Sequence, residues 1–143
     1  MAPQIFLDTN ILLDFLLKRQ GELEEVKSIF NAASDKKLAL YVSESALTTS
    51  IYFLQKQNID ALGIIRQLLP VLSVLPFKKE IFFAAVETFK DTEDGLLYFL
   101  AHDAKLNYFI TRNTNDFKNH LKDLPVLSPS QFIQSYYPDD LPQ

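Results

Sequence analysis

The stretch that most constrains the fold is residues 5–14, with the sequence IFLDTNILLD. Ile5 to Leu7 is a short and continuously apolar run, which is typical of a strand buried on both faces in a parallel sheet. Beyond it, apolar residues recur at helical spacing, and Asp8 or Thr9 is placed to cap that helix. An acid between a buried strand and a helix lies at the strand's carboxyl end, where open α/β sheets bind ligands. Asp8 is therefore the first candidate functional residue, with a purely structural role as a helix cap as the alternative.

Short apolar runs alternate with helical patterns along the rest of the chain. The predicted strands are Ile5–Leu7, Leu38–Val42, Val71–Leu75, Tyr108–Ile110 and Val126–Leu127. The predicted helices follow Asp8, Ser43 and Asp60, and also occupy about 22–33, 78–89, 93–105 and 129–136. This alternation predicts right-handed crossovers and one parallel sheet that is covered by helices on both faces. We expect a single domain over residues 1–137, followed by a loose tail over residues 138–143.

Composition excludes several classes of function. The chain has 143 residues, 48% of them apolar, which fits one globular domain with a substantial core. No apolar run has the length of a membrane span and no basic stretch precedes an apolar one at the N-terminus, so we expect a cytoplasmic protein with no membrane partner. The absence of Cys excludes disulfides, thiolate zinc sites and cysteine nucleophiles. The net charge of −4 does not resemble a general nucleic-acid-binding surface, so binding nucleic acid would need another source of attraction for phosphate.

Three acids stand out by their positions in this pattern. Asp8 follows the first strand, Asp94 lies in the first turn of a helix, and Asp116 comes shortly after the fourth strand. All three are predicted to meet at one edge of the sheet. Two carboxylates about 5 Å apart repel by about 3 kcal/mol at an effective dielectric constant of about 20, so three together need a cation or shared protons. Oxygen ligands without Cys or nearby His favour Mg²⁺ or Mn²⁺, and such an ion would bind a phosphodiester oxygen and activate a water.

Each of these acids also has a structural interpretation. Asp91, Glu93 and Asp94 together would favour a helix N-terminus through its dipole. Asp116 would cap a loop. The sequence alone leaves these alternatives open.

Other titratable residues are assigned no catalytic role. Asp14 lies further down the first helix than Asp8 and is predicted to pair with Arg19 or Lys18 instead of binding a metal. His102 and His120 are predicted to be surface or local hydrogen-bonding residues.

Taken together, these motifs resemble the PIN-domain family, and in particular the small bacterial PIN ribonucleases that include toxins of toxin–antitoxin pairs. The matching pieces, in the family's order, are Leu7-Asp8-Thr9-Asn10 with Leu13-Asp14, Glu93-Asp94 leading to Ala101, Ile110-Thr111-Arg112-Asn113 with Asp116-Phe117, and Leu127-Ser128-Pro129. They span most of the domain.

The resemblance implies a fold, a site and a substrate. The fold is a three-layer α/β/α sandwich with a central parallel five-stranded sheet of strand order 3-2-1-4-5. The site is a cluster of metal-binding acids, and the substrate is single-stranded RNA. Carried over position by position, the metal-binding acids match Asp8, Asp94 and Asp116, and the supporting polar residues that orient ligands or phosphate match Asn10, Thr111 and Asn113.

One departure from the family pattern concerns the helix after the second strand. Many members carry a further acid about five or six residues beyond the position that matches Ser43, where this chain has Thr48-Thr49-Ser50. Glu44 is the nearest candidate replacement, although a Glu at a first helical position also interacts favourably with the helix dipole. Glu93, beside Asp94, is the other candidate ligand, and ideal helix geometry points it about 100° away from Asp94.

The expected function is that of a metal-dependent endoribonuclease in which water attacks a phosphodiester. The resemblance implies further partners, namely an antitoxin protein and a second copy of the chain. We expect a dimer to use apolar positions on the helices between Ala46 and Leu69, where Tyr52 and Phe53 add aromatic area.

Two alternatives remain at this stage. A PIN-like module that binds nucleic acid or protein with little activity is compatible with the missing acid. A haloacid-dehalogenase-like phosphatase is suggested by Asp8-Thr9-Asn10, but that family requires an acid where this chain has Asn10.

Overall fold

The computed structural model describes residues 2–88, 92–120 and 123–136. Its strands are β1 (Gln4–Leu7), β2 (Ala39–Ser43), β3 (Leu72–Leu75), β4 (Tyr108–Ile110) and β5 (Val126–Leu127). Its α-helices are α1 (Thr9–Leu16), α2 (Leu23–Ser34), α3 (Glu44–Lys56), α4 (Ala61–Leu68), α5 (Lys79–Thr88), α6 (Thr92–Asp103) and α7 (Pro129–Tyr136). Every predicted strand and helix is present. The predicted tail, 138–143, lies outside the described residues, as do Lys90 and Asp91 of the predicted break before α6.

The five strands form one parallel sheet in the order β3-β2-β1-β4-β5, which confirms the predicted fold. β1 is central, because Phe6 pairs with Tyr41 of β2 on one side and Phe109 of β4 on the other. At its end, Leu7 is in register with Ile110. The residues that follow β1 and β4 therefore emerge side by side at the carboxyl edge of the sheet.

Two apolar cores lie on opposite faces of the sheet, as the alternation of side chains along a strand requires. Ile5 and Leu7 of β1 belong to the core formed with α1, α2 and α7. Phe6 belongs to the other core, which contains buried residues of α5 and α6 together with Phe117. Because Ile5, Phe6 and Leu7 contribute to both cores, all three are buried, and this explains the continuous apolar run.

Three helices begin with side-chain caps, of which those of Asp8 and Ser43 were predicted from the sequence. Asp8 caps α1 by accepting a hydrogen bond from the N–H of Thr9 (2.8 Å). Ser43 caps α3 through the N–H of Ala46 (3.1 Å), and Asp60 caps α4. Each cap satisfies a backbone donor that the helix leaves without a partner. Among the described residues, no helix is long and apolar enough to cross a bilayer.

Most boundaries shift by one or two residues from the prediction. Val71 was expected in the third strand but lies in a 3-10 helix, Leu69–Val71, because Pro70 fixes a turn conformation and has no N–H for a strand ladder. No helix was predicted for the polar segment after β4, which forms a second 3-10 helix, Thr114–His120. Its one large apolar residue, Phe117, is fully buried and anchors the segment.

We predict that Phe117→Ala lowers the free energy of unfolding by about 3–5 kcal/mol, because it opens a cavity among packed rings. The ring of Phe117 lies 5.0 Å from that of Phe109 and 5.9 Å from that of Tyr98. Urea denaturation measures the loss. The matched control is Phe83→Ala on α5, where the side chain is 59% exposed and the expected loss is within about 0.5 kcal/mol. Similar losses in the two variants would contradict the assignment of Phe117 to the core.

Candidate functional site

Asp8 occupies the junction between β1 and α1 and is only 4% exposed. Its backbone N–H donates to the carbonyl of Ile110 (2.9 Å), which continues the pairing of β1 with β4. One carboxylate oxygen, Oδ1, accepts from the N–H of Thr9, and the other, Oδ2, accepts from the hydroxyl of Thr111 (2.7 Å). Each oxygen thus has one protein donor and retains a further lone pair for a ligand. Asp8 acts as a helix cap and still has acceptor capacity at the sheet edge.

The pKa of the Asp8 carboxyl is raised, mainly because burial disfavours its charged form. The hydrogen bonds from Thr111 and Thr9 oppose this rise, as does the positive charge of Arg112. The negative charge of Glu93 adds to the rise. A cation in front of Asp8 would relieve both the desolvation of its carboxylate and the repulsion from Glu93.

Thr111 connects Asp8 to the loop after β4. It is fully buried, its hydroxyl donates to Asp8, and the same oxygen accepts from the N–H of Asn113 (3.2 Å). Asn113 itself is exposed at the edge, and Asn10 is partly buried in the first turn of α1. Two of the three predicted supporting residues therefore belong to one hydrogen-bonded unit with Asp8.

The acids of α6 lie in its first turn, as predicted. Asp94 is partly buried and shares a helical face with Leu97 and Ala101, both of which are buried. Glu93 is exposed, but its charge acts on Asp8, so it lies nearer to the site than helix geometry alone suggested. Asp103 points away from this edge and forms an ion pair with Lys78 (2.7 Å).

Asp116 lies in the first turn of the 3-10 helix after β4 and is exposed. Its N–H donates to the carbonyl of Asn113 (3.1 Å), which attaches this helix to the loop that carries Thr111. The three predicted acids thus sit on three elements, the start of α1, the start of α6 and the 3-10 helix. Within the described ranges, no group of three or more carboxylates and imidazoles is close enough to hold a metal ion. The convergence of Asp8, Asp94 and Asp116 stays a prediction.

Glu44, the candidate replacement for the missing acid, makes a different contact. It is exposed at the first position of α3, and its Oε1 accepts from the N–H of Phe77 (2.9 Å) in the connection between β3 and α5. Thr48, one turn further along α3, donates its hydroxyl to the carbonyl of Ser45 (3.0 Å) on the same helix. These contacts use Oε1 of Glu44 and the hydroxyl of Thr48, and the role of Glu44 as a metal ligand stays a prediction.

Asp14 is buried between two arginines. Its Oδ1 lies 3.6 Å from Nη1 of Arg19, which confirms the predicted pairing, and its Oδ2 lies 3.3 Å from Nε of Arg112. Burial raises the pKa of the Asp14 carboxyl, and the charges of Arg112 and Arg19 oppose the rise. The contact with Arg112 was not predicted. The available signal was that Arg112 directly follows Thr111, at the carboxyl end of a strand.

A cavity of about 450 Å³ lies at the opposite edge of the sheet, beside the amino ends of β4 and β5. It is lined by His102, Asp103, Lys105, Leu106, Asp123 and Leu124. Nε2 of His102 lies 3.6 Å from Oδ2 of Asp123 there, which agrees with the local role predicted for His102. Because this cavity lies at the amino edge, it is separate from the edge that carries Asp8. The side chain of His120, the other histidine, lies outside the described residues.

The chemistry of the donors at the carboxyl edge fits an oxygen-preferring cation such as Mg²⁺ or Mn²⁺. The side chains available there are carboxylates, amides and hydroxyls, with no thiolate in the chain. Asp8 supplies a fixed carboxylate with unused lone pairs. Holding an ion with all three acids requires Asp94 and Asp116 to approach Asp8 more closely than they do in this structure.

Comparison with known proteins gives one family match. A family model described as PIN domain matches residues 4–115 of the chain. No curated protein sequence matches it.

Solved structures provide further similarity in fold. VapBC2 from Rickettsia felis, bound to a DNA fragment from its promoter, has a TM-score of 0.63 and 20% identity, over 86% of this chain and 96% of that one. A toxin–antitoxin complex from Klebsiella pneumoniae has a TM-score of 0.65 and 22% identity, over 87% and 97%. VapC20 from Mycobacterium tuberculosis, a toxin that cleaves the sarcin–ricin loop, has a TM-score of 0.61 and 11% identity, over 85% and 98%. At these identities the likeness shows a shared fold only.

We predict that Thr111→Val lowers the free energy of unfolding by about 1–3 kcal/mol, because it leaves Oδ2 of the buried Asp8 without its donor while keeping the side-chain volume. Urea denaturation measures the change. Thr9→Val is the matched control, since Thr9 is also buried but bonds to Asp8 through its backbone N–H, which the substitution keeps. A loss in Thr9→Val as large as that in Thr111→Val would show that the Thr111 hydroxyl has no special role.

Proposed function

The chain belongs to the PIN-domain family, and on that basis we propose that it is a metal-dependent endoribonuclease that cleaves single-stranded RNA by attack of water on a phosphodiester. The observation that carries this proposal is the buried carboxylate of Asp8, held by Thr111 at the carboxyl edge of the sheet. Further acids on α6 and on the 3-10 helix after β4 belong to the same edge.

In this proposal Asp8, Asp94 and Asp116 hold Mg²⁺ or Mn²⁺. Asp8 is the preorganised ligand, because its two hydrogen bonds fix the orientation of its carboxylate. When bound, the ion neutralises charge on the phosphodiester and lowers the pKa of the attacking water. Glu93 contributes negative charge near Asp8. Glu44 keeps the hydrogen bond that it accepts from the N–H of Phe77.

The supporting residues act through hydrogen bonds. The hydroxyl of Thr111 donates to Asp8 and thereby favours the charged carboxylate that a metal requires. Asn113 is attached to Thr111 through its backbone, so its exposed side-chain amide is placed at the same edge to donate to a phosphate oxygen. Asn10 lies in the first turn of α1, two residues after Asp8, and orients ligands there.

The biological role that we propose is that of the toxin in a toxin–antitoxin pair. Support comes from the solved structures of similar fold, two of which are toxin–antitoxin complexes and one a toxin that cleaves the sarcin–ricin loop. An antitoxin protein is accordingly the proposed partner of this chain.

A second proposal concerns homodimer formation. Among the described residues, the exposed large hydrophobic side chains all fall between positions 52 and 86, and they are Tyr52, Leu62, Leu69, Val74, Phe77, Phe82, Phe83 and Val86. Three of them lie on α3 and α4 or directly after α4, in the region that the sequence assigned to a dimer. Exposed apolar side chains that come together on a surface are typical of an interaction site.

A binding module with little activity is the alternative function. Two observations favour it. Oε1 of Glu44 accepts from the N–H of Phe77, and the described acids are not gathered as closely as a metal requires. The phosphatase alternative has no such support, because Asn10 stands where its second acid is needed.

We predict that the purified protein cleaves single-stranded RNA with Mn²⁺ or Mg²⁺, that EDTA abolishes cleavage, and that Asp8→Asn reduces its rate by about a hundredfold or more. The control is Asp103→Asn, which changes an exposed acid that faces Lys78 and should keep the parent rate. A labelled RNA followed by gel electrophoresis measures the rate. Cleavage that persists in Asp8→Asn would exclude this site, and a protein that binds RNA without cleaving it would be the binding module.

We predict that the protein is a dimer by light scattering and that Leu62→Asp makes it monomeric, because a charge would be buried in the interface. Leu62 is 59% exposed on α4, so the fold itself should tolerate the change. Gln134→Asp on α7 adds the same charge at an exposed position outside this region and should leave the dimer intact. A parent protein that stays monomeric at high concentration would refute the proposal.

A further inference from the structure

The carboxyl edge of the sheet is rich in negative charge, and a single-stranded RNA brings more. The chain has a net charge of −4, and Asp8, Glu93, Asp94 and Asp116 all belong to this edge. A bound divalent cation offsets part of this charge, but neighbouring phosphates of the RNA would still face carboxylates. A fixed positive side chain beside Asp8 would supply the missing attraction.

Arg112 is such a side chain. It stands between Thr111, which donates to Asp8, and Asn113, whose N–H donates to Thr111. Its positive charge lowers the pKa of Asp8, so its guanidinium lies within electrostatic reach of that carboxylate. The side chain is 43% exposed, so it is open to a ligand from solvent.

Asp14 forms an ion pair with this guanidinium. The closest approach between them, 3.3 Å, joins Oδ2 of Asp14 to Nε, the guanidinium nitrogen nearest the main chain. Arg112 forms no other ion pair within the described part of the chain. Its two terminal nitrogens carry four N–H groups, and a planar fork of this kind matches two phosphate oxygens.

Asp14 has a second positively charged partner, Arg19, so Arg112 is not needed only to neutralise the charge of Asp14. Both arginines approach Asp14, Arg112 at 3.3 Å and Arg19 at 3.6 Å, and the charge of Arg112 also acts on Asp8. Arg112 is therefore the arginine that we assign to the site.

We propose that Arg112 is a phosphate-binding residue of this protein, which holds a phosphate of the RNA beside Asp8, and that Asp14 is its positioning residue. The inference rests on the proposed function in that it takes RNA as the ligand. The contact that it adds contributes to RNA binding, and it does not require that all three acids hold a metal ion.

The test measures binding of a short fluorescein-labelled single-stranded RNA by anisotropy, over a series of KCl concentrations. The Asp8→Asn protein with Mg²⁺ serves as the parent, so that the RNA stays intact. Adding Arg112→Gln should weaken binding by about fivefold or more and reduce the slope of log K against log salt by about 0.7, the value for one phosphate contact to a single strand. Adding Arg19→Gln, which removes the other partner of Asp14, should change affinity less than about twofold and leave the slope unchanged.

Arg112→Lys provides a second variant that keeps the charge. It should retain the salt slope but lose affinity, because an ammonium cannot bind two phosphate oxygens as a fork. Should Arg112→Gln fail to fold in a thermal melt, the comparison of Arg112→Lys with Arg19→Lys decides the question, and equal affinities would overturn the proposal. Equal slopes in Arg112→Gln and Arg19→Gln would also overturn it.

The result separates this inference from the proposed function. If the protein without substitutions cleaves RNA but Arg112→Gln leaves the salt slope of the Asp8→Asn protein unchanged, only the role of Arg112 is refuted. A parent that binds no RNA at low salt would refute both.

Discussion

The hydrogen bond from Thr111 to Asp8 is the interaction on which the candidate site depends. It joins the loop after β4 to the end of β1 at the edge where a parallel sheet presents the carboxyl ends of neighbouring strands side by side. The sheet order supplies the proximity, because β1 and β4 are neighbours although many residues and several helices separate them along the chain. Burial then makes the bond strong and its loss costly, since the carboxylate has little access to water.

Charge balance at this edge is the second organising feature. Two buried aspartates, Asp8 and Asp14, lie on the same short helix or at its cap, and burial raises the pKa of both. Asp14 is compensated by two arginines, whereas Asp8 is compensated mainly by hydrogen bonds. Each oxygen of Asp8 keeps a lone pair beyond its one protein donor, and the negative charge of Glu93 acts on it. A helix cap at the carboxyl edge can therefore also accept a ligand.

Sequence reasoning succeeded where the relevant forces are local or periodic. The caps formed by Asp8 and Ser43 follow from residues a few positions apart, and the buried strands follow from their apolar runs. It did not find the contact of Glu44 with Phe77, which joins residues 33 positions apart, or the approach of Arg112 to Asp14. Such contacts depend on how loops are placed by tertiary packing, and neither periodicity nor turn chemistry reports on that. The strand order itself came from the resemblance to a family, and the start of β3 was missed because the effect of Pro70 on Val71 was overlooked.

The distance along the chain between Asp8 and Thr111, 103 positions, has a consequence for the order in which the molecule is made. A ribosome releases β1 and α1 before β4, and until residue 111 has been made Asp8 has neither its hydroxyl partner nor the neighbouring strand. Pairings between remote segments also form later in folding than local helices do. A growing or truncated chain can therefore hold several native helices while its acidic edge is still incomplete. Whatever reaction this edge performs becomes available only after the segment that carries Thr111 has emerged and paired with β1.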